Sequence, residues 1–136
     1  MMMRRFDTKD DAAILSSAAG VLQDLGFIIE ESAVKAGLIV ASKDRDTMQS
    51  SAVAGQAFMA AMISAFGGEH SQKIRVSLVT VPSADKNAVV VRATFQRVIW
   101  TAMHQVARVE TINDAVIYRE FFDRLSQSVF LEAHNV

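Results

Sequence analysis

Residues 12–43 combine one helical stripe with two short apolar segments, and this change of period constrains the fold more than any other feature. Apolar residues recur at helical spacing up to Leu25, and the pattern ends at Gly26. Two segments suited to strands follow at 27–31 and 38–43. Because a two-stranded hairpin is only marginally stable in water, the rest of the chain must supply more sheet and a second layer.

The remaining sequence predicts that sheet and a closing helix. Alternation of apolar and polar residues predicts strands near 74–78, 89–100 and 105–111. A final helix is predicted to start after a cap at Thr111 or Asn113. Its broad apolar face contains Ile117, Tyr118, Phe121, Phe122, Leu125 and Val129. The sequence therefore predicts an α+β fold with an antiparallel sheet of four or five strands. The N-terminal and C-terminal helices are expected to pack on one face of this sheet.

Several local features carry predictions of their own. Thr8 is predicted to cap the first helix, with Asp11 completing an acidic variant of the capping box. Gly20 inside this helix is expected to permit close packing on the sheet, and Gly37 is expected to adopt a positive φ before the second strand. The Tyr118 hydroxyl is predicted to lie at the rim of the core.

Composition limits the classes of function. At 136 residues the chain is expected to form a single domain over 1–136. Its 14 Lys and Arg against 15 Asp and Glu give a net charge of -1, which provides no field to attract a polyanion, so nucleic acid is not an expected partner. The absence of cysteine excludes disulfides, zinc–cysteine sites and thiol catalysis.

Residues 47–68 carry no formal charge and are predicted to form an apolar helix inserted between the third strand and the next. Its bulky stripe consists of Phe58, Met59, Met62, Ile63 and Phe66. Three interpretations remain open. The helix could be buried within the domain, could dock a protein partner or a second copy through the bulky stripe, or could lie in a membrane.

A search for catalytic or ligand-binding motifs finds none. His70, His104 and His134 are far apart and lack the short spacings of metal ligands. The chain contains no Gly-rich phosphate loop, no elbow motif around a serine nucleophile and no carboxylate pair within apolar strands. We therefore expect no catalytic, cofactor-binding or metal-binding residues, and we do not expect an enzyme.

Two parts of the sequence carry a resemblance. The run LQDLGF at 22–27, the pair ES at 31–32 and the run GLIVA at 37–41 resemble the helix-hairpin opening of small bacterial envelope lipoproteins. Segment 117–133 is similar to the C-terminal helix of an uncharacterised group of these proteins. The fold implied is also similar to the helix-on-sheet domains of the lipoprotein C subunit of the outer-membrane β-barrel assembly machinery. The resemblance implies a periplasmic protein, tethered to a membrane by a lipid on a cysteine upstream of Met1, and it implies no catalytic residues.

Taken together, these observations predict a non-enzymatic lipoprotein domain of the cell envelope that binds a protein partner or self-associates through the 47–68 helix. The alternative prediction is a carrier that holds an apolar small molecule or lipid between that helix and the sheet. An enzyme is the third possibility. No cofactor is expected.

Overall fold

The computed structural model describes residues 2–44, 61 and 72–134 of the chain. These residues form an α+β fold with six strands in one sheet and two helices. The strands are β1 (Met2–Phe6), β2 (Ile28–Ala33), β3 (Leu38–Asp44), β4 (Gln72–Pro82), β5 (Val89–Trp100) and β6 (Val106–Thr111). The helices are α1 (Asp11–Asp24) and α2 (Ala115–His134), and a short 3₁₀ turn at Val34–Ala36 joins β2 to β3.

The strands lie in the order β1, β5, β4, β3, β2, and every pair is antiparallel. Strand β6 also pairs with β5. Because β4 occupies one side of β5 along most of its length, β1 and β6 share the other side, opposite residues 89–93 and 96–100 respectively. The prediction of four or five strands is therefore wrong by at least one strand, since the 12-residue β5 accommodates two short neighbours end to end.

Tyr118 fills the gap between β1 and β6. The backbone N–H of Phe95 donates to the Tyr118 hydroxyl oxygen at 3.1 Å, and that hydroxyl donates to the carbonyl of Ile112 at 2.7 Å. The Ile112 N–H in turn donates to the Phe95 carbonyl at 2.8 Å. Tyr118 is fully buried, so the predicted rim position of its hydroxyl is wrong, and this burial raises its pKa.

Both helices cover the same face of the sheet, as the sequence predicts. Alternate residues of β4 and β5 on this face are buried, including Val76, Leu78 and Phe95. The rings of Tyr118 and Phe121 meet the Phe95 ring edge to face, with centroids 5.2 and 5.7 Å away. Each large side chain buried here contributes about 1.5–3 kcal/mol, which makes this helix–sheet layer the main source of stability.

The helices begin with aspartate caps rather than the predicted residues. Asp10 Oδ1 accepts a hydrogen bond from the Ala13 N–H at 3.0 Å, while the Thr8 hydroxyl oxygen accepts from the Asp10 N–H. Asp114 Oδ1 accepts from the Val116 N–H at 2.9 Å at the start of α2. Aspartate satisfies the first free backbone donors and adds negative charge at the positive end of each helix.

Most of the predicted 47–68 helix lies outside the described residues. Ala61 is described; it is helical, partly buried and packed against the main core. The bulky-stripe residues Phe58, Met59, Met62, Ile63 and Phe66 all lie outside the described part of the chain. Their predicted role in partner binding stays a prediction.

Asp85 organises the turn between β4 and β5. It accepts hydrogen bonds from the Ser83 hydroxyl at 2.5 Å, the Asn87 N–H at 3.0 Å and the Arg5 guanidinium at 3.2 Å. The Ser83 and Asn87 hydrogen bonds, together with Arg5, lower the pKa of Asp85 from 3.8 to about 2. This carboxylate therefore connects the turn to β1.

We expect Asp85→Asn to remove part of the acid sensitivity of folding. Because the folded-state pKa is depressed, the stabilisation from Asp85 is fully present above pH 3.8 and is lost as the pH falls towards about 2. Denaturant unfolding measured at several pH values in that window should show a shallower loss of stability in the variant. Asp24→Asn, which removes another exposed carboxylate, controls for net charge. Identical pH profiles for wild type and Asp85→Asn would contradict the prediction.

Candidate interaction surface

The face of the sheet opposite the helices, which we call the open face, carries a contiguous aliphatic surface. No helix in the described part of the chain covers it. Leu38 pairs with Val79, and Val81 pairs with Val90, so these outward side chains are neighbours across the strands. Together with Val40 they are partly exposed, and we call these five residues the aliphatic patch. Ser77 and Thr94 continue the same surface with small side chains.

This surface departs from the usual pattern of a two-layer fold. An antiparallel sheet with one wet face normally alternates apolar residues inward with polar residues outward. In β3 and β4, aliphatic residues occupy outward positions as well as inward ones. Such a face is typical of a sheet that packs on both sides.

Two unpaired charges flank the aliphatic patch. Glu31 lies on β2 beside Val40, and Arg92 lies on β5 beside Val79. Both side chains are exposed, and neither makes an ion pair with another residue in the described ranges. Three interstrand spacings of about 4.8 Å and an offset of two residues along the strand separate them, so the two residues lie roughly 16 Å apart and cannot pair within one molecule.

One end of the open face is closed by a polar cluster. Glu30 lies at a β-bulge in β2, where its carboxylate accepts a hydrogen bond from the Ser42 hydroxyl. Glu30 Oε1 also forms an ion pair with Lys73 Nζ at 3.1 Å. The Ser42 hydrogen bond, followed by Lys73, lowers the pKa of Glu30. Lys73 also lies over the Trp100 ring, 5.2 Å from its centroid. These contacts order the side chains at the boundary of the patch.

Lys43 is the most deeply buried cation in the described part of the chain, but it lies on the helix-covered face. It is 1% exposed, and its Nζ donates to the Leu25 carbonyl at 2.7 Å. Leu25 is the C-cap of α1, so the ammonium satisfies a backbone acceptor at the negative end of this helix. Burial lowers the pKa of Lys43. This geometry assigns Lys43 a structural role at the helix end.

A groove of about 430 Å³ lies between α1 and α2. Its lining includes Ser16, Ser17, Gly20, Asp24 and Arg124. A Cβ added to Gly20 would meet no atom within 4 Å, so the prediction that Gly20 allows close packing on the sheet is wrong. The Nε atom of Arg124 has no hydrogen-bond partner, yet it is enclosed and out of reach from the groove. The groove therefore presents no directed ligand group.

The described residues contain no cluster of three potential metal ligands. Within the same ranges, no helix combines the length and the hydropathy needed to cross a membrane. The chain matches no known protein-family model, and it matches no curated protein. The open face is thus the feature of the described structure that most clearly differs from an ordinary solvated surface.

Part of this surface is visible in the sequence. Apolar residues occur on both faces of the 27–31 and 38–43 segments, a pattern that favours a central position in the sheet for both strands. In the structure β3 is internal but β2 is an edge strand. The double-sided apolar pattern of β3 instead marks the open face, because the side chains that point away from the helices are aliphatic too.

Proposed function

We propose that the protein is a non-enzymatic association module, in which the open face of the sheet packs against the same face of a second copy. The observation that carries this proposal is the aliphatic patch of Leu38, Val40, Val79, Val81 and Val90. The resemblance to envelope lipoproteins supports a periplasmic location and a lipid tether, which belong to the same proposal.

The size of the open face supports a face-to-face contact. The four strands β2, β3, β4 and β5 have 6, 7, 11 and 12 residues. At about 3.4 Å per residue and a spacing of about 4.8 Å, they give a face of roughly 600 Å². Stable protein interfaces bury about 800 Å² per partner, so nearly the whole face would take part. Stacked sheets pack about 10 Å apart with their strands aligned to within about 30°. Valine and leucine on both surfaces suit such packing, since their branched side chains interdigitate.

The other predicted modes of action involve residues outside the described ranges. Docking through the bulky stripe of Phe58, Met59, Met62, Ile63 and Phe66 stays a prediction. The carrier of an apolar small molecule or lipid between the 47–68 helix and the sheet also stays a prediction. The open face, in contrast, consists of described residues.

Sedimentation velocity over a wide range of protein concentration tests the proposal. We expect the wild type to shift from monomer to dimer. We expect Val79→Glu to weaken dimerisation by about tenfold or more, because removing a carboxylate from water costs several kcal/mol and its register neighbour Arg92 offsets only part of that cost. Val79 points outward, so the variant should retain the wild-type circular dichroism spectrum and thermal unfolding.

Met103→Glu is the matched control. Met103 is 81% exposed in the turn between β5 and β6, away from the aliphatic patch, so the same substitution there should leave dimerisation unchanged. A wild type that remains monomeric at every concentration would overturn the proposal. A Val79→Glu variant that dimerises like the wild type would also overturn it.

A further inference from the structure

We infer that the two copies are related by a twofold axis that runs parallel to the strands between β3 and β4, with Glu31 of each subunit paired to Arg92 of the partner subunit. This inference rests on the proposed function and specifies its geometry. It comes from the strand order, the register and the two unpaired charges of the open face.

The strand order determines which residues such an axis brings together. Across the open face the strands lie in the order β2, β3, β4, β5. A twofold axis between the two middle strands places β3 over β4 of the partner and β2 over β5 of the partner. Leu38 and Val79 are register partners, so they lie at the same height along the axis. Leu38 of one subunit therefore faces Val79 of the partner subunit, and aliphatic surface meets aliphatic surface.

The same operation brings the unpaired charges together. Glu31 pairs with Val40 on β3, Val40 pairs with Ser77 on β4, and Ser77 pairs with Thr94 on β5. Glu31 and Thr94 therefore lie at the same height along the strands. Arg92 lies two residues farther along β5, a distance of about 7 Å at about 3.4 Å per residue. Because stacked sheets lie about 10 Å apart, this offset puts the two Cα atoms roughly 12 Å from each other. The long side chains of glutamate and arginine point towards each other across this gap and together can span it. The dimer then contains two such ion pairs, one at each side of the aliphatic patch.

The charges also disfavour a second twofold arrangement of two stacked sheets. An axis perpendicular to the strands would place each strand over its own copy. Glu31 would then lie on the same side of the interface as Glu31 of the partner subunit, and Arg92 on the same side as Arg92 of the partner subunit. Like charges brought together in this way disfavour the arrangement. The axis parallel to the strands instead places each Glu31 near Arg92 of the partner subunit, which is favourable. The asymmetric placement of one acid and one base therefore selects one orientation.

Charge reversal tests this geometry. We expect Glu31→Arg alone and Arg92→Glu alone to weaken homodimerisation by about tenfold or more, because each change creates two like-charge contacts per dimer. Mixing the two variants should restore a dimer, since the heterodimer contains one native pair and one swapped pair. The double variant Glu31→Arg with Arg92→Glu should also dimerise. Both positions are exposed, so circular dichroism should show unchanged folding.

Cross-linking gives a second measurement that does not depend on charge. The chain has no cysteine, so engineered thiols are unique. Leu38→Cys and Val79→Cys variants, mixed and treated with a short bismaleimide, should form a covalent heterodimer. A mixture of Leu38→Cys and Met103→Cys is the control. It should not form a covalent heterodimer, because Met103, in the turn between β5 and β6, lies away from the axis.

The outcomes separate this inference from the proposed function. A wild type that never dimerises overturns the proposed function and the inference with it. In a second outcome the wild type dimerises and Val79→Glu disrupts the dimer, but a mixture of the two charge-reversal variants fails to associate. This outcome overturns the twofold geometry alone. Restored association in the mixture, together with the Leu38–Val79 cross-link, supports it.

Discussion

Gly37→Ala is expected to lower the free energy of unfolding by about 3 kcal/mol. Gly37 has a φ of 69°, a left-handed conformation that costs an L-residue roughly 1–2 kcal/mol. An added Cβ would also lie 2.5 Å from Thr80 Oγ1 and 2.9 Å from the Thr80 carbonyl oxygen. The Thr80 N–H donates to the Gly37 carbonyl at 2.8 Å, so the two backbones cannot separate without breaking this bond. Relieving such an overlap typically costs about 1–3 kcal/mol.

Denaturant unfolding of Gly37→Ala, with Gly20→Ala as the matched control, tests this expectation. The same substitution at Gly20 adds a methyl group to a helix in open space, so it should raise stability by about 1 kcal/mol through helix propensity. Gly37→Asn separates the two causes at Gly37, since asparagine tolerates the left-handed region but still carries a Cβ. Similar effects of alanine at the two glycines would contradict the proposed role of Gly37.

Tyr118→Phe is expected to lower the free energy of unfolding by about 2–3 kcal/mol. The substitution keeps the ring and its contacts but removes the oxygen that bridges the Phe95 N–H and the Ile112 carbonyl. Leaving a buried polar group unsatisfied costs about 1–3 kcal/mol, and the change affects two such groups. This is a large fraction of a typical domain stability of about 5–15 kcal/mol.

Amide hydrogen exchange at Phe95 reports directly on the Tyr118 bridge. We expect the Phe95 amide to lose protection in the variant before the neighbouring amides of β5 do. Ser126→Ala is a suitable control because it deletes another hydroxyl from α2, one that accepts a hydrogen bond from Arg4 at 3.1 Å in a half-buried position. That change should alter stability by less than about 0.5 kcal/mol. Equal costs for the two hydroxyl deletions, with Phe95 still protected, would show that the bridge contributes little.

Periodicity predicted most of the architecture because most elements bury one regular face. The stripe ending at Leu25 corresponds to α1, and the alternation in 89–100 corresponds to β5 over the same residues. Strand β1 is the main element that periodicity does not reveal. One of its helix-facing positions is occupied by Arg4, whose guanidinium lies over the Phe122 ring and pairs with Asp123 at 3.0 Å. A charged residue in a core-facing position conceals the pattern of a strand until its partners are known.

The open face could not be assigned from the sequence for a different physical reason. Outward aliphatic residues in β3 and β4 fit a strand covered by helices on both sides equally well. The structure shows that both described helices, α1 and α2, lie on one face. The charges Glu31 and Arg92 are ordinary surface residues in sequence, and their relation appears only when register places them across the patch.

The two edges of the sheet limit how far the proposed association can extend. At one edge β2 is short and interrupted by the bulge at Glu30, and at the other edge β5 faces two separate strands with Tyr118 between them. Neither edge offers the long, straight ladder of free backbone groups that favours strand addition and fibre growth. An interface around a twofold axis uses the same face of both molecules, so that face is fully occupied once two molecules have bound. The architecture therefore makes the proposed association end with a pair and not an open-ended polymer, even though one face of the sheet is apolar.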